Sequence, residues 1–251
     1  MTLRELFSDT SRTNRPRQSG LTHVLDKGMS VAEVDNMLEV AATFVDIVKF
    51  GWATSVVVEN LEAKLALLQR RGVDVCCGGS LFELAVRRKK VDEYVAFLKD
   101  HNFKLVEISD GVIDMPTPEK LGYIERLAKD FKVLSEVGSK DGSVVVAPYR
   151  WVKQIKEELN AGAWKVVAEG RESGTVGLYR ESGEVRHGLI EEIEVQIDFT
   201  RLIFEAPQKG QQVWFIKHFG CNVNLGNIPP QEVIALETIR QGLRADTMPT
   251  Q

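Results

Sequence analysis

At 251 residues, 43% hydrophobic and 27% charged, the chain can bury a sizeable core and has the length of a single α/β barrel. Its 32 basic and 36 acidic residues are spread along the sequence and give a formal net charge of -4, which leaves no electrostatic footprint for nucleic acid or anionic lipid. Three cysteines, Cys76, Cys77 and Cys221, are too few for a disulfide framework, and no stretch reaches the roughly 20 apolar residues of a membrane span or the apolar core of a signal peptide, so a cytoplasmic protein is expected.

Residues 1–19 read as a polar, Arg-rich arm, expected to be flexible, and residues 20–251 as one catalytic domain. The first strand is expected over 21–26. Behind it Ser30 N-caps a helical pattern over 30–44, with Val31, Val34 and Leu38 at helical spacing. A strand over 45–50, a helix over 55–71 and a strand over 74–77 follow. The charge run from Arg87 to Lys90 reads as a solvated helix end. Strands over 104–109 and 132–136 flank a helix over 118–130, which begins with proline, where the missing amide hydrogen costs least. A second proline-led helix over 148–160 precedes a strand over 164–169. The loop 171–188 is long and glycine-rich, which marks a lid or a mobile surface loop. Strands over 202–205 and 221–224 and a helix opened by Pro229 and Pro230 complete the chain.

Eight apolar strands alternating with helices imply a parallel sheet buried on both faces, because parallel neighbours need crossovers and helices supply them. Eight such units fit a (β/α)8 TIM barrel, a single α/β domain, better than an open doubly wound sheet, and no GxGxxG follows the first strand.

In such a barrel chemistry gathers at the carboxyl ends of the strands. Those ends supply Asp26 and Lys27, then Lys49, then the backbone of Gly78 and Gly79. Glu107, Glu136, Glu169 and Glu205 follow, and asparagines end the last strand. Lys49 stands inside an apolar strand, where a buried ammonium needs a partner or a job. Glu107, Glu136 and Glu169 on neighbouring strands suit a hard, oxygen-ligated cation such as Mg2+; pairing with Lys49 and Arg171 is the structural alternative. A metal site made of Cys or His is not expected, because His23, His101, His187 and His218 show no metal-ligand spacing. Lys209 with the amides near Gly210, and Gly226 with Asn227, read either as a phosphoryl site or as ordinary turns.

Taken together, the segments GLTHVLDKG, VDIVKFGWATS, CGGSLFE, VEISDG, SEVGSK, EGRESG, IFEAPQKGQQVWFI and VNLGNI resemble the phosphosulfolactate synthase family from Gly20 onward. The resemblance implies a Mg2+-dependent (β/α)8 lyase, related in arrangement to the enolase superfamily, that adds sulfite to phosphoenolpyruvate on the way to coenzyme M or sulfolactate. It implies Lys140 as general acid and Lys49 as a holder of substrate anions. Glu107, Glu136 and Glu169 are then expected around the metal, and Asp26, Lys27, Arg171, Gln208, Lys209 and Asn224 around substrate. The expected partners are these small molecules and a second copy of the chain, with neither nucleic acid nor membrane. The alternatives are another Mg2+-assisted enolate enzyme, or a protective or interaction protein, since plant heat-stress-associated proteins resemble the same family.

Overall fold

A computed structural model describes residues 1–7, 11–139 and 146–248, without the side chain of Arg4. Eight strands form one parallel sheet: β1 (Thr22–Asp26), β2 (Ile47–Phe50), β3 (Asp74–Cys77), β4 (Leu105–Ile108), β5 (Lys132–Val137), β6 (Lys165–Ala168), β7 (Leu202–Glu205) and β8 (Leu225–Ile228). Their order is β3-β2-β1-β8-β7-β6-β5-β4, so every hydrogen-bonded pair joins strands consecutive in sequence except β1 with β8. That is the ring expected of a TIM barrel. No ladder joins β3 to β4 among the described residues, although the two lie side by side. The barrel is nearly closed.

Around it run α1 (Leu3–Phe7), α2 (Val31–Ala41), α3 (Leu61–Arg70), α4 (Gly79–Arg87), α5 (Val91–Asp100), α6 (Thr117–Leu127), α7 (Pro148–Asn160), α8 (His187–Glu194), α9 (Lys209–Phe219) and α10 (Val233–Arg240). Ser30 caps α2 in a reciprocal box with Glu33, as its position before the apolar pattern predicts. Arg87 ends α4, and Arg88 to Lys90 form the exposed turn that leads into α5.

Alternate side chains of each strand face opposite ways, which divides the core in two. Val24, Val48, Val106, Val133, Val166 and Phe204 belong to the large core beneath the helices. Leu21, Ile47, Cys76, Leu105, Leu134, Val167 and Ile203 fill the barrel interior. Two residues further along the inward faces of β2, β4, β5, β6 and β7 come Lys49, Glu107, Glu136, Glu169 and Glu205, all buried. The polar residues are thus stacked on top of an apolar plug.

Two expectations are corrected. The last strand is Leu225–Ile228, not 221–224, because Cys221 and Asn222 form the turn after α9 and the ladders to β7 and β1 begin at Leu225. The arm is docked rather than flexible over its described arginines. Arg12 pairs with Glu237 at 3.1 Å and Arg17 with Asp46 at 3.1 Å, both buried, while Arg15 donates to the carbonyl of Ala42. The amino end of the barrel is sealed by these contacts. No helix among the described residues is long and apolar enough to cross a membrane.

Candidate active site

The strand ends open on a cavity of about 140 Å3 lined by Leu25, Lys49, Gly51, Trp52, Gly78, Gly79, Ser80, Glu107, Val112, Glu136, Glu169, Arg171, Glu172, Glu205 and Asn227. Five carboxylates, those of Glu107, Glu136, Glu169, Glu172 and Glu205, face two cationic side chains, Lys49 and Arg171, among the described lining residues.

Lys49 is the hub. Its Nζ donates to Glu205 Oε1 at 3.0 Å and lies 3.5 Å from Glu107 Oε2, with only 5% of the residue exposed. Burial alone would push this ammonium toward neutrality, but Glu107, Glu205 and Glu136 outweigh it and hold Lys49 charged well above the ordinary lysine range. Glu107 responds in the opposite sense. Burial, reinforced by Glu136 and Glu205, raises its carboxyl to about 7 against the pull of Lys49 and of the Gly79 amide. A cluster with more carboxylates than ammonium groups attracts a further cation.

Backbone amides orient the same carboxylates. Gly79 N–H donates to Glu107 Oε1 at 2.7 Å, Gly170 N–H to Glu205 Oε2 at 2.9 Å, and Arg171 N–H to Glu169 Oε1 at 2.6 Å. Gly79 has no room for a side chain, since a Cβ there would stand 2.4 Å from Ser109 Cβ across the β3–β4 junction. Arg171, Trp52, Ala53 and Asn227 all hold left-handed backbone at the mouth, an arrangement that costs about 1–3 kcal/mol per residue and concentrates at functional sites.

Glu107, Glu136, Glu169 and Lys49 are brought together as expected, and Arg171 joins them at the rim. Lys27 is exposed, its Nζ 5.1 Å from the centre of the Trp52 ring. Asp26 does not face the cavity. It is buried against Lys64 Nζ at 2.9 Å and accepts from the amides of Gly28 and Met29, so it braces the loop that carries Lys27. Gln208 caps α9 and donates to the carbonyl of Ser173, and Lys209 pairs with Asp246 at 2.9 Å. With Gln211 donating to Gly174 and Gly183, these contacts pin the loop 171–188 against α9. Asn224 lies at the wrong end. It precedes β8, accepts from Leu21 N–H and donates to the carbonyls of Thr200 and Leu202, fixing the amino end of the barrel. Lys140 lies outside the described residues.

The family model of (2R)-phospho-3-sulfolactate synthase (ComA) matches residues 10–246. The chain belongs to this family. It is 44% identical over 237 residues to the phosphosulfolactate synthase of Methanocaldococcus jannaschii, covering 92% of this chain and 94% of that one. With the phosphosulfolactate synthase of Bacillus subtilis the identity is 43% over 239 residues, covering 94% and 95%. The plant protein heat-stress-associated 32 of Arabidopsis thaliana is a distant relative, 24% identical over 259 residues and covering 91% and 88%. Among solved structures, 3-hexulose-6-phosphate synthase from Salmonella typhimurium superposes with a TM-score of 0.56 at 15% identity, over 86% of this chain and 96% of that one. That likeness concerns the fold alone.

Sequence reasoning named Glu205 but gave it no role, and left Asn227 as one of two readings of its loop. The rule that found Glu107 and Glu136, the inward residue at a strand's carboxyl end, also selects Glu205. Asn227 is 5% exposed with an Oδ1 that has no hydrogen-bond partner among the described residues. For a phosphosulfolactate synthase fold the donor set fits a hard cation at the mouth. The carboxylates of Glu107, Glu136, Glu169 and Glu205 all line it, and Glu107 Oε2 accepts no hydrogen bond among the described residues.

Proposed function

We propose that this protein catalyses the addition of sulfite to phosphoenolpyruvate to give (2R)-2-phospho-3-sulfolactate, with Mg2+ as cofactor. The observation that carries this reading is the buried Lys49 paired with the strand-end carboxylates Glu107 and Glu205, in a chain that shares 43–44% identity with phosphosulfolactate synthases over nearly its full length. A small cavity with mixed charge suits a compact polyanion brought in with a cation.

The sulfur lone pair of sulfite attacks C3 of phosphoenolpyruvate and forms the C–S bond. The electrons of the C2–C3 double bond move onto the carboxylate, and a proton delivered to C2 completes the product with no leaving group. Negative charge therefore grows on the substrate carboxylate as the reaction proceeds. A group that binds this charge more tightly than it binds the ground state lowers the barrier. Lys49 is assigned that role because its ammonium is fixed on β2 and kept protonated by its neighbours. Glu107, Glu136, Glu169 and Glu205 are assigned to the metal. Mg2+ held there would supply Lewis-acid stabilisation of the developing negative charge. Arg171 at the rim and Ser80 in the first turn of α4, both lining the cavity, are assigned to phosphoryl or sulfite oxygens. Proton delivery is assigned to Lys140, two residues beyond Gly138 in the segment that follows β5.

Phosphorus NMR tests the reading directly. With phosphoenolpyruvate, sulfite and Mg2+, the enol phosphate resonance should give way to that of an alkyl phosphate monoester, and chelator should stop the conversion. Metal-loaded protein that leaves phosphoenolpyruvate untouched in sulfite would reject the assignment.

A further inference from the structure

Beside the cavity-lining Glu107 of β4, His23 of β1 and Cys76 of β3 converge with it inside the barrel. One ligand atom from each lies within 4.8 Å of the other two, and His23 Nε2 stands 3.9 Å from Cys76 Sγ. All three residues are buried. Among the described residues His23 Nδ1 and Glu107 Oε2 have no hydrogen-bond partner, and the proposed reaction uses neither His23 nor Cys76.

We infer that His23, Cys76 and Glu107 form a site for a thiophilic divalent cation such as Zn2+, and that filling it inhibits the enzyme. The donor set decides the metal. Nitrogen, sulfur and a single carboxylate oxygen suit Zn2+, whereas Mg2+ requires oxygen throughout, so this site is distinct in chemistry from the carboxylate set of the mouth. Zinc bond lengths to nitrogen and sulfur in a tetrahedron place those ligands about 3.5 Å apart. The observed 3.9 Å needs only a small contraction. Three protein ligands leave a fourth position for water. On binding, the Cys76 thiol loses its proton to solvent and the thiolate takes the metal, so charge is conserved.

The path and the consequence both run through Lys49. Lys49 stands on β2, between β1 and β3, and its Nζ sits 3.5 Å from Glu107 Oε2, so a cation entering from the mouth displaces the ammonium. A lysine has the flexible stem to move aside. Glu107 then serves the thiophilic cation and is withdrawn from both Lys49 and the catalytic carboxylate set. The binding claim stands on the ligand geometry, and the inhibition claim rests on the sulfite-adding function proposed above.

Co2+ and Zn2+, added to the full-length protein in Mg2+ buffer, test the two claims separately. Saturating Co2+ should produce a thiolate-to-cobalt charge-transfer band that is lost in Cys76→Ser and kept in Cys77→Ala and Cys221→Ala. His23→Gln should require more Co2+ to reach the same band. Zn2+ should inhibit product formation, with a midpoint at least about tenfold higher in Cys76→Ser. The activity of that variant in Mg2+ alone should be unchanged. Absence of the thiolate band in the wild-type protein overturns the site even if every variant folds poorly. Equal Zn2+ midpoints in wild type and Cys76→Ser overturn the inhibition. If the protein makes no sulfonate, the cobalt band still reports on the site, so the two failures are distinguishable.

Discussion

Lys49 is held between carboxylates from two separate strands, Glu107 of β4 and Glu205 of β7, and this double anchorage fixes where its charge sits. Lys49→Met keeps most of the stem and removes the ammonium. It should lower kcat by about 10²- to 10³-fold, the usual cost of deleting one preorganised stabiliser of developing charge, in an assay of sulfonate formation. Asn224 makes the opposite forecast. Its amide satisfies Leu21 N–H and two carbonyls at the amino end, so Asn224→Ala orphans buried polar groups and should destabilise by about 1–3 kcal/mol in urea. Because it lies at the far end from the cavity, KM for both substrates should be unchanged.

At the scale of elements, a second buried lysine joins three of them. Lys120 of α6 reaches Glu158 of α7 at 2.8 Å and Asp110 beyond β4 at 2.9 Å, and donates to the backbone carbonyl of Glu136 at 2.6 Å. Burial works against its charge, but Glu158 and Asp110 prevail and hold it above the ordinary lysine range. Lys120→Met leaves Glu158 buried without its cation and should cost about 3–5 kcal/mol of unfolding free energy, read from the urea midpoint. The strands themselves were legible because apolar runs of four to six residues, buried on both faces, announce themselves in the sequence. β8 was the exception. Leu225–Ile228 reads LGNI, with glycine and asparagine in the middle, and only its neighbours β7 and β1 make it a strand. The site was legible wherever a strand end had been placed correctly, as for Glu107, Glu136 and Glu169. What the sequence could not show for Gln208 and Lys209, at the start of α9, is their partners, Ser173 and Asp246, which are far away in sequence.

Across the whole molecule, charge is sorted by end. Carboxylates crowd the mouth, while Arg12, Arg17, Arg240 and Lys165 are buried toward the amino end. Lys165 donates to the carbonyls of Gln18 and Thr200, and burial, aided by Arg201, lowers its pKa to about 8. The folded state therefore releases this proton before the unfolded chain does. The stability it withholds is fully withheld below about pH 8 and recovered as pH rises toward the ordinary lysine value near 10.5. Denaturation curves of wild type and Lys165→Met should accordingly diverge with pH across that window, the wild type gaining on the variant; parallel curves would contradict the shift.

The junction of β3 and β4 has one further consequence. No ladder closes it among the described residues, and the Gly79 amide reaches across to Glu107, a proposed metal ligand. The hoop is fastened by the same side chain that would greet the cation. Occupancy of the mouth should then stiffen the wall itself: amide hydrogen exchange in β3, β4 and the first turn of α4 should slow when Mg2+ and phosphoenolpyruvate are added, and that slowing should vanish in Glu107→Gln.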